Sequence, residues 1–268
     1  MNLLAFDIGG TWIRGGLFVG QKLAADLRAP VSSQYKISRQ RMIDLGVSMT
    51  SGKRIDRVIV GLPGVLNTAH TALLRSPHLP AWQRKPLAFD MRRIFRVPVQ
   101  LENDATLGAV GEAIFGAGRG YRTVAYIAIG TGIGGTCLVN GSTFGRTNLE
   151  PGHQFVERGK TWEDLIGGRS LQRRFGADWG MWKSQQWHWI EQQLAAGLVN
   201  IITLWSPDCI VLGGAIVRDG QINLPAVKRL IAGSLRAIPQ VPPLAKASRG
   251  DRAGLYGALA VAGRRSAR

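Results

Sequence analysis

The sequence predicts an α/β fold built from two similar halves. A glycine-rich turn occurs twice, once within Phe6–Thr11 and once within Ala128–Gly135, and each copy lies between two apolar runs. A shift of 121 positions superposes pairs of identical residues: Ile8 on Ile129, Gly9 on Gly130, Leu17 on Leu138 and Gly20 on Gly141. Elsewhere predicted strands alternate with predicted helices, which is typical of layered α/β folds. Each glycine turn is therefore interpreted as the tip of a β-hairpin.

The first half is predicted from its apolar runs and the turn residues that end them. Its elements are expected, in order, as strands at 2–8, 13–19 and 22–29, a helix at 38–50, a strand at 57–61, a helix at 86–95, a strand at 97–101 and a helix at 105–115. The turn at 62–64 ends the fourth strand, and the glycine cluster at 116–120 ends the last helix.

The second half begins with the repeated hairpin at Thr123. Apolar residues at helical spacing predict a helix over 182–205, whose tryptophans are expected in the core or at a subunit interface. A buried strand is predicted at 209–213 and a helix of small residues at about 251–262. We expect two lobes, 1–115 and 116–268, with the last helix packing back on the N-terminal lobe.

Length and composition favour a globular cytoplasmic protein. The chain has 268 residues, of which 45% are hydrophobic, enough for one or two domains with real cores. No apolar stretch approaches the roughly 18 residues that span a bilayer, so no membrane partner is expected. Cys137 and Cys209 both lie in predicted buried strands, which favours core thiols over a disulfide or a metal pair.

The formal net charge of +17 is extreme. It could attract a polyanion such as nucleic acid or a phosphate polymer. Alternatively, the basic residues are scattered over helix faces and the tail, as Arg28, Arg92, Arg173, Arg264 and Arg265 suggest. We favour scattering, and expect no nucleic-acid partner, because the sequence shows no nucleic-acid-binding motif.

Glycine turns let backbone N–H groups approach an anionic phosphate, because no Cβ blocks the approach. Two such turns, one per half, could hold a phosphate chain from both sides. Asp104 follows a predicted strand and precedes a helix, where α/β folds place ligands. From the residues alone, Asp104 could be a general base or the N-cap of a helix that starts at Ala105.

Six segments, in order and with sensible spacing, resemble the ROK family of bacterial sugar kinases and repressors. They are 7–11, 101–106, 116–120, 130–135, 150–153 and 210–214. The resemblance implies a two-lobed actin-like ATPase fold, which is ribonuclease H-like, with a cleft between the lobes. Repressor members carry a DNA-binding domain before the first motif, whereas six residues precede Asp7 here, which favours the kinase branch.

The resemblance also implies residue roles. Asp104 would take the proton from the attacking sugar hydroxyl, and Asp7 would hold Mg²⁺ directly or through water. The residues expected to contact ATP are Gly9, Gly10, Thr11, Gly130, Thr131 and Gly132 at the phosphates, and Gly213 and Gly214 on the adenosine side. The expected sugar contacts are Gly64, Asn103, Asp104, Glu150, His153 and Glu163. The N-terminal lobe would thus be the sugar and phosphate side, and the C-terminal lobe the nucleotide side.

One segment departs from the family pattern. Many ROK proteins have a cysteine-rich, zinc-binding loop after the histidine that corresponds to His153, but 154–161 holds no cysteine. One histidine cannot supply the four ligands of a structural zinc, so we predict no zinc. His153 is then available to bind the sugar, or it merely orients Glu150.

The activity that the resemblance implies is transfer of the γ-phosphoryl group of ATP to a hexose, with glucose and its 6-hydroxyl preferred. The segment 159–163 is similar to zinc-free members that use polyphosphate, so a polyphosphate-dependent glucokinase or mannokinase is the alternative. A catalytically inactive sugar-sensing protein is an alternative of another class. The tryptophan-rich helix suggests a homodimer, and the sequence does not choose among hexoses.

Overall fold

A computed structural model describes residues 1–143 and 149–263 of the chain. Arg264 and Arg265, two of the scattered basic residues, lie outside the described residues. The chain divides into two units. The first unit is Met1–Gly111 together with the segment from Arg252 onward, and the second unit is Glu112–Asp251.

The strands and helices follow one another in the predicted order. The strands are β1 (Asn2–Ile8), β2 (Trp12–Val19), β3 (Lys22–Pro30), β4 (Arg57–Leu62), β5 (Val65–Leu66), β6 (Leu73–Arg75), β7 (Val99–Asn103), β8 (Thr123–Ile129), β9 (Ile133–Val139), β10 (Ser142–Thr143), β11 (Phe155–Glu157), β12 (Lys160–Thr161), β13 (Cys209–Gly213) and β14 (Leu244–Lys246). The α-helices are α1 (Tyr35–Thr50), α2 (Leu87–Phe95), α3 (Asp104–Phe115), α4 (Trp162–Ile166), α5 (Gly168–Phe175), α6 (Ser184–Trp205), α7 (Ala215–Asp219), α8 (Leu224–Ser234) and α9 (Ala253–Gly263).

Several helix and strand starts differ by one to three residues from the predicted ones, and three of these differences have a local reason. Helix α1 begins at Tyr35, whose buried ring anchors the first turn by donating a hydrogen bond to Asp90 over 2.7 Å. Strand β7 starts after Pro98, which has no N–H to donate to a ladder. Helix α6 starts two residues later than predicted, where the Gln186 side chain accepts from the Lys183 N–H over 2.6 Å.

The first unit contains a five-stranded sheet in the order β3-β2-β1-β4-β7. The hairpin strands pair antiparallel, whereas β1, β4 and β7 run parallel. Two adjacent glycines of β2 show what covers each face: Gly15 lies against Met49 of α1, and Gly16 lies against Leu255 of α9. The sheet is thus a middle layer, with a core that includes the fully buried Phe6.

The second unit repeats this arrangement, with a sheet in the order β10-β9-β8-β13-β14. Its core is built around Trp162 of α4, which is fully buried and donates its indole N–H to the Gln193 carbonyl over 2.9 Å. Gly197 of α6 makes room for that ring. Trp182 and Trp187 are also buried, which confirms the prediction that tryptophans of this region belong to the core.

The two hairpins are copies with turns of different length. Leu4 pairs with Leu17 in the first, and Ala125, which is 121 positions after Leu4, pairs with Cys137 in the second. The shift is therefore 121 in the first strand and 120 in the second strand. The superposition of Leu17 on Leu138 is wrong by one residue, because the second glycine turn is one residue shorter.

The thiols of Cys137 and Cys209 are both free and buried in strands, as predicted. Burial, with a smaller contribution from the Asp208 carboxylate, raises the pKa of each thiol to about 11. Both are therefore protonated at neutral pH and act as small apolar core residues. In the described part of the chain, none of the helices has both the length and the hydrophobicity that crossing a bilayer requires.

Part of the basic excess sits at helix ends. The last turn of α2 carries Arg92 and Arg93, and the last turn of α5 carries Arg173 and Arg174. Cations are favourable there because the carbonyl end of a helix has a partial negative charge. All four of these arginines are exposed.

Helices α3 and α9 touch backbone to backbone. A Cβ on Gly257 would lie 1.8 Å from the Leu107 carbonyl oxygen, and a Cβ on Gly111 would lie 2.1 Å from the Ala253 carbonyl oxygen. Both distances are far below van der Waals contact, so only glycine fits at either position. This contact fixes how closely the last helix lies against the helix that begins at Asp104.

We predict that Gly257→Ala destabilises the protein by about 1 to 3 kcal/mol, because the added methyl must push the two helices apart. Gly233→Ala in α8 is the matched control, since a Cβ there meets no atom within 4 Å. The control should be neutral or stabilising by up to about 1 kcal/mol, because alanine favours helix. Thermal unfolding of both variants checks this, and equal midpoints would contradict the backbone contact.

Candidate active site

Two carboxylates flank Gly61 at the carboxyl ends of adjacent parallel strands. Asp7 of β1 pairs with Gly61 of β4, and Gly61 pairs with Glu102 of β7, two residues before Asp104. A Cβ on Gly61 would lie 3.5 Å from Oδ1 of Asp7 and 3.5 Å from the Cα of Asp104. Both acids are half-buried. The nearest atom to that Cβ would be Cδ1 of Leu107, at 2.9 Å, so the absent side chain at Gly61 lets α3 pack close to Asp7. This point lies at the sheet edge where α/β folds bind ligands.

Helix α9 supports Asp7 from the other side. A Cβ on Gly254 would lie 2.6 Å from Cγ of Asp7 and 2.7 Å from its Oδ2, so the first turn of α9 lies directly against the carboxylate. The N-terminal end of a helix carries partial positive charge, which attracts a negatively charged group placed beside it. Gly254 is buried and has no room for any side chain.

Asn103 caps the helix that Asp104 begins. Its Oδ1 accepts from the Thr106 N–H over 2.9 Å, and its Nδ2 donates to the Gly64 carbonyl over 3.1 Å. The hypothesis that Asp104 is the N-cap is therefore wrong, because Asn103 makes the capping bond. Gly64 has φ of +113°, which favours glycine, and its Cβ would lie 2.3 Å from the Arg75 carbonyl. The structure thus brings the predicted Gly64, Asn103 and Asp104 together.

The first glycine turn is closed by one backbone bond, in which the Gly9 N–H donates to the Trp12 carbonyl over 3.0 Å. Gly10 is half-buried and Thr11 is exposed. The Thr11 carbonyl accepts from the Val31 N–H over 2.8 Å, which ties the turn to the end of β3. The turn is therefore held by its own backbone, with the Thr11 side chain directed to a surface that solvent or a ligand can reach.

The second glycine turn is held by the start of α5. The Gly130 N–H donates to the Gly132 carbonyl over 2.9 Å, while the carbonyls of Gly130 and Thr131 accept from Gly168 (2.9 Å) and Arg169 (3.0 Å). A Cβ on Gly168 would lie 2.3 Å from the Gly130 oxygen. A Cβ on Gly130, by contrast, would meet nothing within 4 Å, so one side of the turn is open.

Glu163 joins this turn to the predicted sugar contacts. Its Oε2 accepts from the Ile133 N–H over 2.6 Å, directly after the turn. Helix α4, which carries Glu163, starts with a reciprocal capping box between Thr161 and Asp164. Hydrogen bonds from Thr161 to the Asp164 carboxylate lower the pKa of Asp164. Glu163 is thus held by a rigid helix start and supports the second glycine turn. The sequence did not indicate this supporting role.

Glu150 directly precedes a short 3-10 turn, Pro151–His153, which ends at His153. The turn packs on β9 through Gly152. A Cβ on Gly152 would lie 2.3 Å from the Ile133 carbonyl. Glu150 keeps an exposed surface, but partial burial of its carboxyl raises its pKa. His153 lowers the pKa of Glu150, and the Glu163 carboxylate raises it further. The three predicted sugar residues of the second unit therefore lie in one electrostatic neighbourhood.

Gly213 and Gly214 have packing reasons of their own. A Cβ on Gly213 would lie 2.6 Å from the Tyr126 hydroxyl, and Gly214 has φ of +86° with its Cβ position 2.3 Å from the Ile129 carbonyl. These contacts account for both glycines without a nucleotide. Their adenosine-side role stays a prediction.

Sequence reasoning missed Gly61 and Gly254. Gly61 could have been found by carrying the repeat into its fourth strand, because Gly61 pairs with Asp7 just as Gly213 pairs with Ala128. Gly254 gave a weaker signal, the small-residue composition of the last helix. Its contact with Asp7 joins residues too far apart in the chain for a local pattern to reveal.

The donor set suits Mg²⁺ held partly by phosphate. Among residues 1–143 and 149–263, no group of three or more His, Cys, Asp or Glu residues could hold a metal ion by itself. Protein-bound Mg²⁺ usually has one or two carboxylate ligands, with substrate phosphates and water completing its octahedron. The Asp7 carboxylate beside a glycine turn fits that mode. The absence of a structural zinc stays a prediction.

The duplicated unit, with a glycine turn in each copy and acids beside one of them, defines the two-lobed actin-like class of fold. The ROK family model matches residues 3–265, and the chain belongs to the ROK family. The predicted family and fold class are thus confirmed.

Three known proteins similar to the chain match it over nearly their full lengths. The glucokinase of Streptomyces coelicolor is 24% identical over 320 aligned positions, covering 97% of this chain and 96% of that protein. A ROK family glucokinase from Streptomyces griseus, solved with glucose and AMPPNP, has a TM-score of 0.83 and 21% identity, covering 97% and 99% of the two chains. An inorganic polyphosphate/ATP-glucomannokinase from Arthrobacter sp. strain KM has a TM-score of 0.73 and 23% identity, covering 97% and 98%.

We predict that Glu163→Ala lowers stability by about 1 to 3 kcal/mol, because it leaves the N–H of the buried Ile133 without its acceptor. Glu163→Gln is the matched variant, since its amide oxygen can still accept this bond, and it should cost less. Thermal unfolding of both proteins measures the difference. Identical midpoints for the two variants would show that the bond does not support the turn.

Proposed function

We propose that the chain is a sugar kinase that transfers the γ-phosphoryl group of ATP to a hexose, with the 6-hydroxyl of glucose as the preferred acceptor. The single observation that carries the proposal is the pair Asp7 and Asp104 on either side of Gly61. Phosphoryl transfer needs positioning and charge neutralisation more than covalent chemistry. One acid can serve the acceptor hydroxyl while the other serves the phosphates.

Asp104 is proposed as the general base. Its carboxylate accepts a hydrogen bond from the sugar hydroxyl, orients the oxygen toward the γ-phosphorus, and takes the proton as the new P–O bond forms. The bond between the γ-phosphorus and the oxygen that bridges it to the β-phosphate breaks in the same step, and ADP leaves. The Asn103 cap and the Gly64 contact hold the start of α3, so the backbone that carries the Asp104 carboxylate is fixed in position. Its Oδ1 accepts from the Ala105 N–H over 2.8 Å, which holds the carboxylate at the first turn of the helix.

The other proposed sugar contacts are Gly64, Asn103, Glu150, His153 and Glu163. Sugar hydroxyls both donate and accept, so carboxylate, amide and imidazole groups can satisfy them. Partial burial raises the pKa of the Glu150 carboxyl, and the residue keeps an exposed surface that a sugar hydroxyl can reach. The structure is compatible with both hypotheses for the exposed His153, binding the sugar or orienting Glu150.

The phosphates are proposed to contact both glycine turns, through Gly9, Gly10 and Thr11 of the first unit and 130–132 of the second. Gly213 and Gly214 would face the adenosine. Mg²⁺, held by Asp7, would neutralise phosphate charge. Gly254 and the N-terminal turn of α9 would keep the Asp7 carboxylate in place. We further propose a cytoplasmic homodimer without zinc.

Polyphosphate is the second candidate donor. The net charge of +17 and the exposed arginines at the ends of α2 and α5 favour a polyanion, and a similar protein from Arthrobacter is named for both donors. A sugar-sensing protein without catalysis is less supported. A sensor has no need for Asp7, Asp104 and two glycine turns.

We predict that Asp104→Asn lowers kcat by about 10² to 10⁴-fold, because the amide cannot accept the hydroxyl proton, while sugar affinity changes little. Sugar-dependent ADP formation measures kcat, and calorimetry measures sugar binding. Asp44→Asn, on the exposed side of α1, is the control and should keep full activity. Near-wild-type turnover of Asp104→Asn would remove Asp104 from the mechanism.

A matrix of hexoses against ATP and polyphosphate, scored by sugar-phosphate formation, tests the substrate assignment. We expect glucose with ATP to give the highest rate. Any activity with polyphosphate should fall steeply with added salt, because a polyanion releases counterions from many phosphates. Failure with every sugar and both donors would favour the sugar-sensing alternative.

A further inference from the structure

Glu112 is a buried acid without a role in the proposed chemistry. It lies in the third turn of α3, and its side chain is 0% exposed. Its carboxylate accepts four hydrogen bonds, from Ala117 N (2.9 Å), Ser248 N (3.0 Å), Ser248 Oγ (3.3 Å) and Arg249 N (2.6 Å). A buried carboxylate is costly unless its oxygens are bonded in this way. Glu112 therefore ties the end of α3 to the segment 248–249.

Two further features reinforce this tie. The Arg249 Nε donates to the Phe115 carbonyl over 2.6 Å, at the last residue of α3. A Cβ on Gly116 would lie 2.0 Å from Glu112 Oε2, so glycine is required for the carboxylate to occupy its position. The helix end is thus held by bonds from both a carboxylate and a guanidinium.

The hydrogen bonds of Glu112 lie close to the two points where the chain passes between its two units. The chain leaves the first unit after Gly111 and returns to it at Arg252, and Glu112 holds the end of the outgoing helix to the start of the returning segment. That helix begins at Asp104. The returning segment leads into α9, whose Gly254 lies against the Asp7 carboxylate.

The contact between α3 and α9 is close, and both helices contribute a glycine to it. It is made by glycines and backbone atoms at Gly111 and Gly257, where the glycines present no side chain to the opposing helix. A shift of about 1 to 2 Å is within the range that packed helices show. The bonds of Glu112 to Ser248 and Arg249 oppose it at one end.

We propose that Glu112 is a positioning residue for phosphoryl transfer, which fixes α3 against α9 and so keeps Asp104 at the correct distance from Asp7. The inference rests on the proposed function for its catalytic part. Glu112→Gln probes it with little change of volume. Because both carboxylate oxygens accept N–H donors, the amide group of glutamine must turn its own N–H toward another donor.

Glu191→Gln is the matched control. Glu191 is also a buried glutamate of the second unit, 6% exposed, and accepts from the Asn223 N–H over 2.8 Å. It lies on α6, outside α3 and α9. Both variants are assayed below their unfolding midpoints for kcat, for KM of each substrate and for sugar affinity, and amide hydrogen exchange is followed in α3 and α9.

Glu112→Gln should lower kcat by about 10 to 100-fold, since a misplacement near 1 Å can cost that much, while KM and sugar affinity stay within about threefold. Exchange should rise in the first turns of α9 and the last turn of α3. Glu191→Gln should leave kcat and the exchange of α9 unchanged. If Glu112→Gln does not fold, Gly116→Ala, which displaces the same carboxylate, should give the same pattern.

Three outcomes would overturn the inference: an unchanged kcat, an unchanged exchange of α9, or a fall in kcat matched by an equal loss of sugar affinity in both glutamate variants. An inactive wild-type chain would instead reject the proposed function. The exchange measurement would still decide whether Glu112 holds the two helices.

Discussion

The backbone contact between α3 and α9 is the constraint on which the first unit depends. It exists because Gly111 and Gly257 have no Cβ, so the carbonyl oxygens of the opposing helix occupy the space that side chains would need. Helix α9 can then reach the sheet far enough for Gly254 to touch the Asp7 carboxylate. Any residue larger than glycine at these positions would move Gly254, which supports Asp7, away from the helix that begins at Asp104.

In both copies of the sheet a glycine pairs with the first strand of the hairpin, but its partner residue differs. In the first, Asp7 faces Gly61, and in the second, Ala128 faces Gly213. The second glycine turn is also one residue shorter and is held by α5 through Gly168. One copy therefore supplies a carboxylate and the other only backbone groups and a threonine. Under the proposed function, this asymmetry gives the phosphate chain a direction, with its reactive end at the copy that carries the acid.

Local patterns predicted most of the fold. The hairpins follow from apolar runs around glycine turns, and Asp104 was located because it directly follows a strand, while the roles given to Asp7 and Glu150 come from the family resemblance. Contacts between distant parts of the chain were not predictable in this way. Glu112 looks like an ordinary helix-forming residue until Ser248 is folded against it. Likewise, nothing local to Glu163 indicates its bond to Ile133.

The burial of three acidic side chains also affects the charge that the protein surface carries. The chain has 17 acidic residues against 34 basic ones, and three of the acids, Asp90, Glu112 and Glu191, are buried. Those three carboxylates accept hydrogen bonds inside the protein and leave few acids to offset the arginines outside. The surface is therefore more basic than the net charge alone indicates. Because surface charge raises the local concentration of opposite ions, any phosphorylated donor is drawn toward the protein most strongly at low salt.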